Sequence, residues 1–94
     1  MNILFLFPDQ LRADFLSCYG ARFIATPHID RLCDGGVRYA RAIAPAPLCV
    51  AARASLLTGV NAIKHGAIDN YSWLRPDHFA CGLPTLPELL RDAR

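Results

Sequence analysis

Residues 2–7, Asn-Ile-Leu-Phe-Leu-Phe, run apolar without alternation and stop at Pro8. A strand with one wet face alternates polar and apolar side chains. An unbroken apolar run suits a strand buried on both faces, as in a parallel sheet covered by helices. Such a strand needs neighbours on either side and helices above and below. Only residues 37–43 read as a second strand, broken by Pro45 and Pro47. Two strands and a few short helices do not complete such a layer. The pattern therefore predicts an α/β fold. Residues 1–94 would be the N-terminal portion of a single larger domain, with a mostly parallel central sheet that is incomplete within them and no separate second domain.

The helical punctuation is clearer. Residues 11–19 read as a short helix or an irregular turn closed by Gly20. Thr26-Pro27 is an N-cap followed by a first helical position, and the helix runs through Ile29 and Leu32 to Gly35-Gly36. Residues 50–57 make a helix of about two turns with Gly59 as its stop. Residues 61–84 read as a long loop. Thr85-Leu86-Pro87-Glu88 is a capping-box pattern that opens a last helix through Arg94.

Composition excludes several function classes. The formal net charge is +2, with no basic block, which argues against a nucleic-acid partner. No apolar run reaches the roughly 18 residues needed for a membrane-spanning helix. The apolar start lacks a basic leader and a small-residue cleavage site, so with Met1 as the true start a cytoplasmic location is expected. The four cysteines form no Cys-x-x-Cys pair and read as free thiols.

The segment Cys49-Val50-Ala51-Ala52-Arg53-Ala54-Ser55-Leu56-Leu57-Thr58-Gly59 concentrates the chemistry. Cys49 stands at a helix start, where unpaired N–H groups and the helix dipole stabilise a thiolate or a nearby anion. Arg53 follows four residues later on the same face, with a rigid donor fork suited to sulfate or phosphate oxygens. The bland alternatives are a small buried hydrophobe at Cys49 and a solvated arginine at position 53.

Asp9 follows the first strand, where ligands bind in open α/β sheets. It is either a hard-cation ligand or the N-cap of a helix from Gln10 onward. His65 follows the Cys49 helix and is placed to reach an anion, although an isolated histidine is more often structural. Tyr71 and Trp73 read as pocket lining or as anchors of the loop on the core. Ser55 and Thr58 have no adjacent base in sequence to make either a nucleophile.

These motifs, in their order, resemble the sulfatases. Asn2-Ile3-Leu4-Phe5-Leu6-Phe7-Pro8-Asp9-Gln10 is similar to the family's first strand and metal loop, and Leu16-Ser17-Cys18-Tyr19-Gly20 to its GCYG turn. Thr26-Pro27-His28-Ile29-Asp30-Arg31-Leu32 resembles its TPNIDRL helix, and positions 49 to 59 resemble its signature C-x-P-S-R-x-x-L-x-T-G. His65-Gly66 and the stretch from Leu83 to Leu90 follow in family order.

The resemblance implies an alkaline-phosphatase-like sandwich. It implies a Cys49 converted by a maturation enzyme to formylglycine, whose hydrate attacks the sulfur of a small-molecule sulfate ester. Arg53 would hold the formylglycine. A divalent cation, usually calcium in this family, would be bound by Asp9, by the modified Cys49 and by Gln10. Three departures are visible. Asp9-Gln10 replaces the common Asp-Asp pair, as in choline-sulfatase-like and phosphonate-monoesterase-like branches, so phosphonate monoesters and phosphodiesters are alternative substrates. Ala51 and Ala52 stand where the signature has Pro and Ser. The family's remaining metal ligands have no counterpart in residues 1–94, which by themselves are expected to lack turnover.

Overall fold

The computed structural model describes residues 2–93. They divide into two compact units, Met1–Ala42 and Ile43–Arg94.

In the first unit, residues 2–8 form no helix and pair with no strand. The expected buried strand is instead exposed, with Ile3 80% and Leu4 83% accessible. Phe5 and Phe7 stack with ring centroids 5.8 Å apart. That i, i+2 contact is the spacing that brings side chains to one face of extended chain. A strand is defined by its ladder, and no described segment offers one. Residues 37–43 form no strand either, and their polar contacts run instead to residues 18 and 19. The Tyr19 hydroxyl donates to the Tyr39 carbonyl at 2.9 Å. Arg38 donates to the Cys18 carbonyl and lies 5.1 Å over the Tyr19 ring. The described residues therefore contain no strand, and the sheet expected from the apolar runs is not among them.

Residues 11–19, expected as a helix or a turn, form two successive 3-10 turns, Ala13–Phe15 and Ser17–Tyr19. Gly20 closes the second at φ 99°, a left-handed conformation that disfavours any residue with a Cβ. Helix α1, Pro27–Asp34, starts behind Thr26 and ends at Gly35, as its punctuation predicts. The Thr26 side chain does not cap the helix. Its hydroxyl meets that of Ser17 at 2.6 Å, and the Ser17 hydroxyl donates to Asp30 at 2.7 Å.

The second unit is built on helix α2, Cys49–Thr58. Ala51 packs with Ala46 and Ala62, and Ala54 with Ala67 and Leu74, half-buried Val50 completing the second cluster. Alanines allow the backbone segments to approach closely, so α2 is held by short contacts rather than by large side chains. Gly59 ends it in the left-handed region, its N–H returning to the Ser55 carbonyl at 2.8 Å. The expected long loop contains a single-turn helix α3, Ala62–His65, capped by Asn61, whose Oδ1 accepts from the Ile63 N–H at 2.9 Å. Tyr71 is 98% exposed and Trp73 52%, so neither anchors the loop; Leu74 does. Helix α4, Leu86–Asp92, opens with the predicted capping box. Its expected terminus at Arg94 lies outside the described residues.

Candidate active site

Cys49 is the first residue of α2 and is half-buried; Arg53 lies one turn along and is half-buried too. Both remain accessible to a reactant while their helix is fixed from below by fully buried Ala51 and Ala54. This is the arrangement expected from the four-residue spacing, and the reading of Cys49 as a buried hydrophobe does not hold.

The helix start lacks a local cap, because Leu48 occupies the N-cap position and carries no acceptor. Asn70 supplies it, its Oδ1 accepting the Val50 N–H at 3.1 Å. Asn70 is in turn presented by Asp69. One carboxylate oxygen of Asp69 accepts the N–H groups of Tyr71 at 2.9 Å and Ser72 at 2.7 Å. Those two backbone donors, Tyr71 first, hold Asp69 below the usual carboxylate range. Sequence reading missed Asn70, since a cap delivered from a distant loop leaves no local signature. Asp69 carried a signal, being an acidic residue that can close an Asx turn over its two successors.

His65 does not reach outward. It is 3% exposed, with Nδ1 accepting the Ala67 N–H at 3.1 Å and Nε2 lying 2.8 Å from Ser55 Oγ. Because Nδ1 accepts, the neutral ring carries its proton on Nε2 and donates it to Ser55. The fold thus brings to Ser55 the neighbour that sequence spacing does not show, but in a tautomer that cannot take the serine proton. With Ser55 itself 5% exposed, the pair is a buried strut between α2 and α3 and not a nucleophilic dyad. Thr58 is also occupied, its hydroxyl donating to the Ala54 carbonyl at 2.7 Å.

Asp9 and Gln10 form an exposed turn in the first unit. No helix begins at Gln10, so Asp9 is not its N-cap. Gln10 takes φ 56°, the one described non-glycine residue with positive φ. Such a conformation costs an ordinary residue about 1–2 kcal/mol, and strain of this kind clusters at functional positions. Among the described residues, no three His, Cys, Asp or Glu side chains come together to hold a metal ion. Calcium takes six to eight oxygens. Asp9 with Gln10 does not approach that number, so the described residues do not fit a complete cation cage.

Comparison with known proteins gives the family. The Sulfatase family model matches residues 1–94. Human arylsulfatase D is 40% identical over 85 residues, covering 88% of this chain and 14% of that protein. Human steryl-sulfatase is 37% identical over 100 residues, covering 97% of this chain and 17% of its own length. The N-acetylglucosamine-6-O-sulfatase of Bacteroides thetaiotaomicron is 35% identical over 98% of this chain and 16% of its own. The chain thus spans about one-sixth of the length of these relatives. No solved structure matches it. With a family match along its whole length, the chain belongs to the sulfatase family.

Proposed function

We propose that residues 1–94 carry the nucleophile end of a sulfuric ester hydrolase site, within a single catalytic domain whose central sheet takes up residues 2–7. The observation that carries the proposal is the pairing on α2 of an accessible Cys49 at the helix start with Arg53 one turn on. Cys49, oxidised by a formylglycine-generating enzyme, supplies as its hydrated aldehyde the hydroxyl that displaces an alcohol from sulfur. Arg53 brings a permanent positive charge and a planar donor fork to the same helix face, which suits a tetrahedral anion. The helix start adds N–H groups that lack intrahelical acceptors. The Asn70 cap and the Ser55–His65 strut fix the backbone that carries both residues, so that they are placed before substrate arrives. The named activities of the relatives, all sulfatases, support a sulfate ester as substrate.

The full-length protein, co-expressed with a maturation enzyme, tests this on an aryl sulfate and on an aryl phosphonate. The proposal expects sulfate hydrolysis to be the faster, and to fall to the Cys49→Ala background when Cys49 is removed. Turnover unchanged in Cys49→Ala overturns it. A faster phosphonate reaction that still depends on Cys49 moves the substrate class and leaves the nucleophile in place.

A further inference from the structure

The hydrogen bonds of the first unit converge on the contact between the Ser17–Tyr19 turn and helix α1. Ser17 N–H donates to Thr26 Oγ1 at 3.0 Å, and Thr26 N–H donates back to Ser17 Oγ at 2.9 Å. Ser17 Oγ also meets Thr26 Oγ1 and reaches Asp30 at 2.7 Å, so these bonds pin the turn to the start of α1. Cys18 is the next residue, half-buried, with its carbonyl held by Arg38. Cys33 follows Asp30 by three residues, one helical turn further along the face that meets the turn, and is half-buried as well. Both are free thiols. Burial first, then Cys33 and Asp30, push the Cys18 thiol up.

We propose that Cys18 and Cys33 are a dithiol that closes reversibly into a disulfide, stapling the Ser17–Tyr19 turn to helix α1, with a small-molecule disulfide of the glutathione class as oxidant. The two protein thiols and one glutathione disulfide give one protein disulfide and two glutathione thiols. One cysteine, as thiolate, attacks a glutathione sulfur and expels a glutathione thiolate. The second loses its proton and attacks the mixed disulfide at the protein sulfur, expelling the other glutathione. The exchange needs a thiolate, so it speeds up as pH rises. Cys49 belongs to the other unit.

The test is exchange of the reduced full-length protein with glutathione disulfide, in buffer and in urea. Thiols are then blocked and the protein is digested with trypsin without reduction. The expected product in buffer is a linked pair of peptides, residues 13–22 with residues 32–38. In Cys33→Ser, Cys18 is expected instead as a glutathione adduct. In urea the linkage is expected to fall severalfold and to spread to other pairs, because the network at Ser17, Thr26 and Asp30 no longer holds the thiols together. Separate glutathione adducts on Cys18 and Cys33 in buffer overturn the proposal. Equal yield of the linked pair in buffer and urea also overturns it, since proximity in sequence would then suffice. The comparison of buffer with urea needs no variant to fold.

Discussion

Asn70 Oδ1 accepts the Val50 N–H at 3.1 Å across twenty residues of chain, so a distant loop caps the helix that begins with Cys49. The backbone at Cys49 is therefore only as well defined as the turn Asp69 builds around Asn70. Asn70→Ala is expected to cost about 1 kcal/mol, the usual price of a lost N-cap. Asn70→Asp, which keeps the acceptor and adds a negative charge at a helix start, is expected to retain stability. Urea denaturation and amide exchange in the first turn of α2 check both; equal stability of Asn70→Ala and the parent protein would show that the cap is idle.

The buried strut gives a second expectation. Ser55→Ala leaves the Nε2–H of His65 without its acceptor in a site closed to water. Such an unsatisfied buried donor costs about 1–3 kcal/mol. His65→Ala removes the donor but opens a cavity between α2 and α3, and should cost at least as much. The two losses are expected to be less than additive in the double variant, because each removes the same bond. Additive losses in denaturation would place the stabilisation elsewhere.

The start of α4 responds to pH from two directions. Glu88 accepts the Thr85 N–H and hydroxyl, each at 2.7 Å, and faces His78 Nε2 at 3.2 Å. His78 Nδ1 meets the Arg75 carbonyl at 3.0 Å. A carboxylate and a carbonyl only accept, so both ring nitrogens donate only while the ring is protonated. Glu88 first, then the Arg75 carbonyl, raise His78 above its usual 6.5. That contribution to stability is fully present below pH 6.5 and is lost as pH rises through the higher folded value. Thr85, and then His78, push Glu88 down to about 2 from 4.5. Its contribution is present above pH 4.5 and is lost as pH falls towards 2. Proton exchange at Leu89, whose N–H bonds the Thr85 carbonyl, is expected to be slowest between the two limits. In Glu88→Gln the alkaline limb is expected to move down in pH; an unmoved limb would contradict the ion pair.

Ala51 and Ala52 give a fourth. Proline is tolerated in the first turn of a helix, and position 51 is the third residue of α2. Ala51→Pro with Ala52→Ser, which restores the family signature, is expected to raise the fraction of Cys49 converted in cells with a maturation enzyme, as read by peptide mass. Ala51→Leu should instead destabilise by about 1–3 kcal/mol, because Ala51 is fully buried against Ala46 and Ala62.

What was legible in the sequence divides along physical lines. Pro27, Gly20, Gly35, Gly59 and the Thr85–Glu88 pair act through their own backbone or the next turn, and each marks an element where expected. Helical spacing also sets Cys49 and Arg53 one turn apart, and both lie on α2. The partners that arrive from elsewhere were not legible. Asn70 caps a helix twenty residues away, His65 turns inward to Ser55, and Thr26 turns its hydroxyl to Ser17 and the Asp30 side chain rather than to the N–H groups of its helix. The apolar run at residues 2–7 marks a demand for burial that the described residues do not meet, since a strand requires a ladder that its own sequence cannot supply.

The proposed hydrolysis depends on Cys49 as the precursor of the nucleophile, and the mass of the peptide spanning residues 42–53 tests that most directly. The protein is expressed in cells whose maturation enzyme converts a control sulfatase, and thiols are blocked before digestion. An aldehyde is expected at position 49, with the sulfur lost and no blocked thiol there. An intact, fully blocked Cys49 beside a converted control would contradict it.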